Sequence, residues 1–171
     1  MSGPHTLTVD AGTGDLRAAD HRLRALADEL ALDERWFGCT HLVRGDRPRV
    51  ALSLSAPSRS LLSTVRQRLA DRGYEVSPGA PDAVGRAVLY PGVARLTGTV
   101  TVAEVLSASA IVRVAVLGEP GPPPPDRRLV TRDHVRPEWR GGELVLAAMP
   151  AAGGTLVPFE VPDPTPCCAD H

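Results

Sequence analysis

Apolar side chains recur at three- and four-residue spacing in two stretches of the chain, which is the spacing of one face of an α-helix. In the first stretch, from Leu16 to Leu30, arginine and aspartate fall between the apolar positions, and Asp15 can accept a backbone N–H bond at the start. In the second, Ser58 takes the capping position and Gly73 the end, because glycine adopts the left-handed backbone that helix ends favour. The predicted helices lie near Asp15–Leu32 and Ser58–Arg72.

Strands are predicted where β-branched and aliphatic residues alternate or cluster between turn residues. The clearest case places Val50, Leu52 and Leu54 on one face, because alternate residues of a strand point the same way. A short loop containing glycine and proline joins this strand to the preceding one, as in a hairpin. The predicted strands of the first half are Thr6–Val9, Trp36–Val43, Arg49–Ser55 and Tyr74–Ser77.

The order strand, helix, strand, strand, helix, strand over residues 1–80 predicts an α+β fold of the ferredoxin-like βαββαβ type. Two helices with single apolar stripes would then cover one face of a four-stranded antiparallel sheet. This arrangement serves enzymes, regulatory modules and metal chaperones alike, so it indicates little about function.

Residues 86–171 are predicted to form a second, smaller α+β half after a loop at Pro78–Gly85. Thr101 and Glu104 have the spacing of a capping box, which predicts a short helix to about Ala110. Prolines make residues 120–125 an exposed connector and residues 158–171 an extended tail. The predicted strands here are Arg86–Tyr90, Ile111–Leu117, and a hairpin of Leu144–Ala147 with Thr155–Glu160.

Composition narrows the classes of partner. The chain has 171 residues, 43% of them hydrophobic, which predicts a folded core. All 19 basic residues are arginine, which is mainly the signature of a GC-rich genome. A net charge of −1 indicates neither nucleic acid nor an anionic membrane as partner. No signal peptide or membrane-length apolar stretch is visible, so we expect a soluble cytoplasmic protein with reduced thiols.

Cysteine and histidine placement gives the first candidate site. Cys39 and His41 are two apart in a predicted strand and so share a face, and the chain ends with Cys167, Cys168 and His171. If the tail folds back, these five residues could hold zinc or another transition metal, since zinc favours sulfur and nitrogen ligands. Two alternatives stay open: a redox or metal-capturing thiol pair in the tail, or no site, with Cys39 a small buried residue.

Arginine spacing gives a second, weaker candidate. Arg128, Arg132 and Arg136 are four residues apart, which on one helix face would favour anion binding by paired guanidinium N–H groups. A proline directly after Arg136 interrupts such a helix, and a solvated loop is the alternative. Asp133 and His134 are adjacent, but neighbours on a strand point apart, which argues against an acid–base pair.

The chain carries no recognised catalytic motif. Together with the small net charge and proline-rich segments, this favours a non-catalytic accessory or regulatory protein that binds a protein partner or a second copy of itself, with a Cys/His metal site as a structural part. A metal- or thiol-dependent protein is the first alternative. A small-molecule enzyme that binds an anionic substrate between the two halves is the second, so whether the chain is an enzyme stays open.

Overall fold

Side-chain caps begin the α-helices of residues 5–162, the part of the chain that the computed structural model describes. Asp15 accepts a hydrogen bond from the Ala18 backbone N–H at 2.8 Å, at the position predicted for it. Ser58 begins the second helix in the same way, and Thr101 and Glu104 form the predicted capping box of the third. The helices are α1 (Leu16–Leu30), α2 (Arg59–Asp71) and α3 (Val102–Ala108).

One 11-stranded sheet runs through the described residues. Its strands are β1 (Thr6–Thr13), β2 (Phe37–Val43), β3 (Arg49–Ser55), β4 (Glu75–Pro78), β5 (Arg86–Leu89), β6 (Thr99–Thr101), β7 (Arg113–Val116), β8 (Arg128–Val130), β9 (Glu138–Arg140), β10 (Glu143–Pro150) and β11 (Leu156–Pro158). Their order is β4-β1-β3-β2-β5-β9-β10-β11-β8-β6, and β7 pairs with β10 in parallel.

Strands β4, β1, β3 and β2 are neighbours in that order, and all three of their pairings are antiparallel. Both long helices cover the same face of this region. Leu26 of α1, Leu69 of α2 and Leu52 of β3 belong to one hydrophobic cluster, and each is fully buried. Residues 53 and 55 of β3 therefore face the other way, since side chains alternate along a strand.

The sheet does not end at β2, in contrast to the separate four-stranded sheet predicted for residues 1–80. The outer edge of β2 pairs with β5, with Cys39 opposite Ala87 and Thr40 opposite Arg86. An unpaired edge strand exposes a row of N–H and C=O groups, and this pairing satisfies them. The three-residue strands β6, β8 and β9 extend the sheet and were not predicted, because so few residues carry no visible alternation.

The second half has its own hydrophobic cluster, built around Leu129, Leu144 and Leu146. In the proline-rich connector Pro123 is buried and the flanking residues are exposed, so the predicted exposure holds for most of the connector but not for its centre. Among the described helices, none combines the length and the apolar character needed to cross a membrane.

Candidate functional site

A cavity of about 920 Å³ lies where helix α1 meets the start of β5, the chain before β9 and the chain after β11. We call it the junction cavity. Its charged lining includes Asp20, Arg24, Arg86, Arg136 and Glu160. Because α1 belongs to the first half of the chain and the other contributors to the second, the cavity is assembled only when both halves are folded.

The amphipathic pattern of α1 places its share of these groups. Leu23 and Leu26 turn inward to the sheet. Asp20 and Arg24 lie at the border of this apolar stripe, four residues apart and therefore neighbours on the helix surface. This polar border is not simply solvated. Asp20 is only 6% exposed, because the second half of the protein covers it.

Asp20 lies at the centre of a buried cluster of ion pairs. Its carboxylate accepts hydrogen bonds from Arg86 Nη1 at 2.6 Å and Nη2 at 3.1 Å, and from Arg136 Nε at 3.0 Å. Arg86 also donates from Nε to Glu160 Oε2 at 2.7 Å. His134 Nε2 lies 2.9 Å from the other oxygen of Glu160. We call these five residues the ion cluster.

Neighbouring groups in the ion cluster hold its two carboxylates in their ionised forms. Burial alone would raise the pKa of Asp20, but the hydrogen bonds and positive charges of Arg86 and Arg136 outweigh it and hold that pKa below its usual range. The pKa of Glu160 is lowered in the same way, against burial, by Arg86 and His134. Both carboxylates are therefore anionic at neutral pH.

Arg136 is the member with unused hydrogen-bonding capacity. Its side chain is 2% exposed, Nε donates to Asp20, and Nη1 donates to the Val135 carbonyl at 3.3 Å. No described residue accepts a hydrogen bond from its Nη2. Burial lowers the pKa of Arg136, Asp20 opposes this, and the like charges of Arg24 and Arg86 lower the pKa further.

The lining residues that the structure describes include four arginines and three carboxylates, Asp15, Asp20 and Glu160. A guanidinium group with free N–H groups and a neighbouring second guanidinium can bind a carboxylate or phosphate. The arrangement is chemically suited to hold an anion.

The structure does not bring the three predicted anion-binding arginines together. Arg128 is exposed on β8, opposite Thr101. Arg132 is exposed in a turn with a left-handed backbone (φ 54°). Only Arg136 reaches the junction cavity. No helix forms over this segment, because β8 and the turn after it replace the helical spacing.

Cys39 and His41 of the predicted metal site line a second cavity of about 300 Å³, together with Ser53 and Trp139. We call it the sheet-face cavity, because it lies on the side of the sheet away from the helices. His41 Nε2 is 2.7 Å from Ser53 Oγ, and Nδ1 is 3.1 Å from the Ala83 carbonyl oxygen. Both ring nitrogens are therefore engaged with protein atoms.

Burial raises the pKa of the Cys39 thiol to about 11 and outweighs the neighbouring Trp139 and Ser53 side chains, which lower that pKa. The thiol is therefore protonated at neutral pH. Among residues 5–162, no three His, Cys, Asp or Glu side chains are grouped so that they could hold a metal ion. The other predicted ligands, Cys167, Cys168 and His171, lie outside the described residues, so the shared metal site stays a prediction.

Sequence reasoning missed Asp20, Arg86 and Glu160 as members of a site. Arg86 is 66 positions from Asp20 and 74 from Glu160, and Arg136 is 116 positions from Asp20. No local motif links residues so far apart. The adjacent pair Asp133 and His134 was visible, but His134 bonds Glu160, and Asp133 accepts the Gly98 backbone N–H instead.

Comparisons of this chain with protein-family models, with curated proteins and with solved structures found no match.

Proposed function

We propose that this protein binds a small anionic molecule, a carboxylate or a phosphate ester, in the junction cavity. The observation that carries the proposal is the buried Arg136, which lies beside a cavity of about 920 Å³ with its Nη2 donating to no described residue. Ligand cavities in proteins commonly measure about 300–1,000 Å³ and combine an apolar lining with a few converging polar groups.

Each member of the ion cluster has a role in this proposal. Asp20 fixes the guanidinium of Arg136 through Nε, which leaves the outer edge of that group for the ligand. Glu160 and Asp20 together use Nε, Nη1 and Nη2 of Arg86, so Arg86 acts as a scaffold. Arg24, exposed on the wall of the cavity, supplies the second positive charge. His134 also lines the cavity, with its Nε2 2.9 Å from Glu160 Oε1.

An ion cluster that only holds the fold together is the competing explanation, and the experiment must separate the two. Full-length protein is titrated calorimetrically with inorganic phosphate, pyrophosphate and succinate at one fixed ionic strength. Arg24→Gln is the informative variant, because Arg24 is exposed and makes no ion pair in the described cluster. Arg128→Gln, exposed on β8 and outside the cavity lining, is the matched control.

We expect saturable binding of at least one anion, an affinity lowered about 10-fold in Arg24→Gln, and no change in Arg128→Gln, since a hydrogen bond to a charged group contributes about 1.5–3 kcal/mol. The preferred anion distinguishes a carboxylate ligand from a phosphate. Absence of saturable binding, or an equal loss in both variants, would contradict the proposal and leave the cluster a structural element.

We also propose that residues 1–80 form a ferredoxin-like unit. The antiparallel order β4-β1-β3-β2, with both helices on one face, supports this. The unit presents Asp20 of α1 to the second half, which is how the first half contributes to the site. The fold type by itself carries no functional information.

Partner binding and metal binding stay predictions from the sequence. A non-catalytic accessory protein that binds a protein partner or a second copy is tested by gel filtration with light scattering. A site that uses Cys39, His41, Cys167, Cys168 and His171 for zinc or another transition metal is tested by elemental analysis of protein purified without a histidine tag. Neither outcome alters the test of the junction cavity.

A further inference from the structure

The sheet-face cavity holds a hydroxyl and an imidazole in direct contact, and the proposed anion site does not use them. Ser53 of β3 and His41 of β2 are buried, and their side chains are joined by the 2.7 Å contact from Oγ to Nε2. Cys39 and His41 lie two residues apart on β2, and Ser53 pairs directly with Cys39 across the strands. The regular antiparallel register therefore sets this geometry, not a mobile loop.

The direction of these hydrogen bonds follows from the chemistry of their partners. A backbone carbonyl oxygen can only accept, so the proton of neutral His41 lies on Nδ1, facing Ala83 O at 3.1 Å. Nε2 is then an acceptor, and Ser53 Oγ must donate its proton to it. This is the protonation state of a serine nucleophile with its general base.

The neighbouring thiol is not an alternative nucleophile. A thiol reacts as its thiolate, and Cys39, with a pKa of about 11, holds its proton at neutral pH. Ser55 lies two residues from Ser53 on the same strand and also lines the cavity, but its hydroxyl bonds Thr6 Oγ1 at 2.7 Å. Within the described lining, Ser53 is thus the hydroxyl with an imidazole in contact.

We propose that Ser53 is a nucleophile activated by His41, and that the sheet-face cavity accepts the acyl group of a small uncharged ester. Ser53 Oγ forms a bond to the ester carbonyl carbon while its proton moves to His41 Nε2. The ester C–O bond then breaks, and His41 returns that proton to the leaving oxygen. Water, deprotonated by His41, releases the acyl group as a carboxylic acid and restores the Ser53 hydroxyl.

The size of the cavity limits the substrate. About 300 Å³ is at the lower end for ligand pockets, which fits an acetyl or similarly short acyl group. The only ionisable carboxylate in the described lining is that of Asp82, and the lining contains no arginine, so an anionic ester is disfavoured. General-base assistance of this kind typically contributes about 10²–10⁴-fold to a rate.

The test is covalent labelling of the full chain. Protein is incubated with phenylmethanesulfonyl fluoride, and separately with p-nitrophenyl acetate, then digested and mapped by mass spectrometry. We expect one stoichiometric adduct on Ser53. It should be lost in Ser53→Ala, reduced at least 10-fold in His41→Gln, and unchanged in Ser55→Ala, the matched control on the same strand and face.

A purely structural Ser53–His41 hydrogen bond predicts a different outcome. Wild-type protein with no adduct on Ser53 would overturn the proposal without reference to any variant. Labelling at an undiminished rate in a folded His41→Gln protein would overturn it too, because the imidazole would then have no part in activation. If His41→Gln fails to fold, the mapped position in wild-type protein decides: an adduct on Ser53 supports the proposal, and an adduct on Cys39 would assign the reactive group to the thiol instead.

Discussion

Replacement of Asp20 by asparagine removes one charge from the ion cluster and keeps the shape of the side chain. The carboxylate accepts three hydrogen bonds from two arginines, at 2.6, 3.1 and 3.0 Å. Arg86 would keep Glu160 as its partner, but Arg136, 2% exposed, would lose the one carboxylate that pairs with it among the described residues. A buried charge left without its partner costs about 3–5 kcal/mol. For a protein of this size that corresponds to roughly 6–20 °C in Tm.

The assay is urea unfolding at pH 7, followed by circular dichroism, for Asp20→Asn and Glu160→Gln. The Glu160 side chain is a third exposed, so solvent screens its charge, and Arg86 still pairs with Asp20 when Glu160 is neutral. Glu160→Gln should therefore lower the free energy of unfolding by only about 1–2 kcal/mol. The double variant Asp20→Asn with Arg136→Met should lose less free energy of unfolding than the two single variants lose in sum. The reason is that Arg136→Met removes the buried charge that Asp20→Asn leaves unpaired.

The destabilisation caused by Asp20→Asn should also depend on pH in a defined direction. The pKa of Asp20 is lower in the folded protein than in the unfolded chain, where it is about 3.9. The stabilisation is therefore fully present above about pH 4 and is lost as pH falls through the folded pKa. The difference between wild type and Asp20→Asn should be constant from pH 7 to 5 and narrow below 4. A cost under about 1 kcal/mol at pH 7, or a larger cost for Glu160→Gln, would refute the buried-cluster explanation.

Three further predictions concern packing, backbone and thiol chemistry. Leu26→Ala should destabilise the protein by about 2–5 kcal/mol, since Leu26 is fully buried. Leu61 of α2 is exposed, so the control Leu61→Ala should change the free energy of unfolding by no more than about 0.5 kcal/mol. Gly92→Ala should lower the free energy of unfolding, measured by chemical denaturation, more than Gly98→Ala does. Both glycines have a left-handed backbone, but a Cβ at Gly92 would overlap the last carbonyl oxygen of α3. Equal losses in the two variants would show that the loop at Gly92 adjusts freely. Iodoacetamide should modify the native protein and Cys39→Ser to the same extent, because the thiol of Cys39 is buried and protonated; a lower extent in Cys39→Ser would contradict that environment.

Local sequence patterns determined the helices and the strands of the first half. Asp15 and Ser58 begin the helices for which they were predicted, because a cap depends only on the few residues that follow it. The stripes that contain Leu26 and Leu69, and the alternation at Leu52, select the buried faces for the same reason. These are short-range relations, and a single sequence contains them in full.

The tertiary structure alone decided what covers the polar border of α1. Periodicity identifies the apolar face of a helix but cannot tell whether the polar residues beside it, here Asp20 and Arg24, meet water or another part of the chain. Pairing of β2 with β5 brings Arg86 beside α1, and the buried Asp20 is the result. The same pairing extends the predicted four-stranded sheet into one continuous sheet.

Both candidate sites depend on such long-range contacts. The sequence indicated that Cys39 and His41 share a face, since residues two apart on a strand do, but not that Ser53 lies opposite, because cross-strand register is not encoded within one strand. For the arginines, four-residue spacing was visible, yet a strand and a left-handed turn direct only Arg136 into the junction cavity. The spacing of residues along the chain predicts their distance in the fold only when they belong to one helix or strand. The ion cluster joins residues as far as 116 positions apart, so no such spacing could predict it.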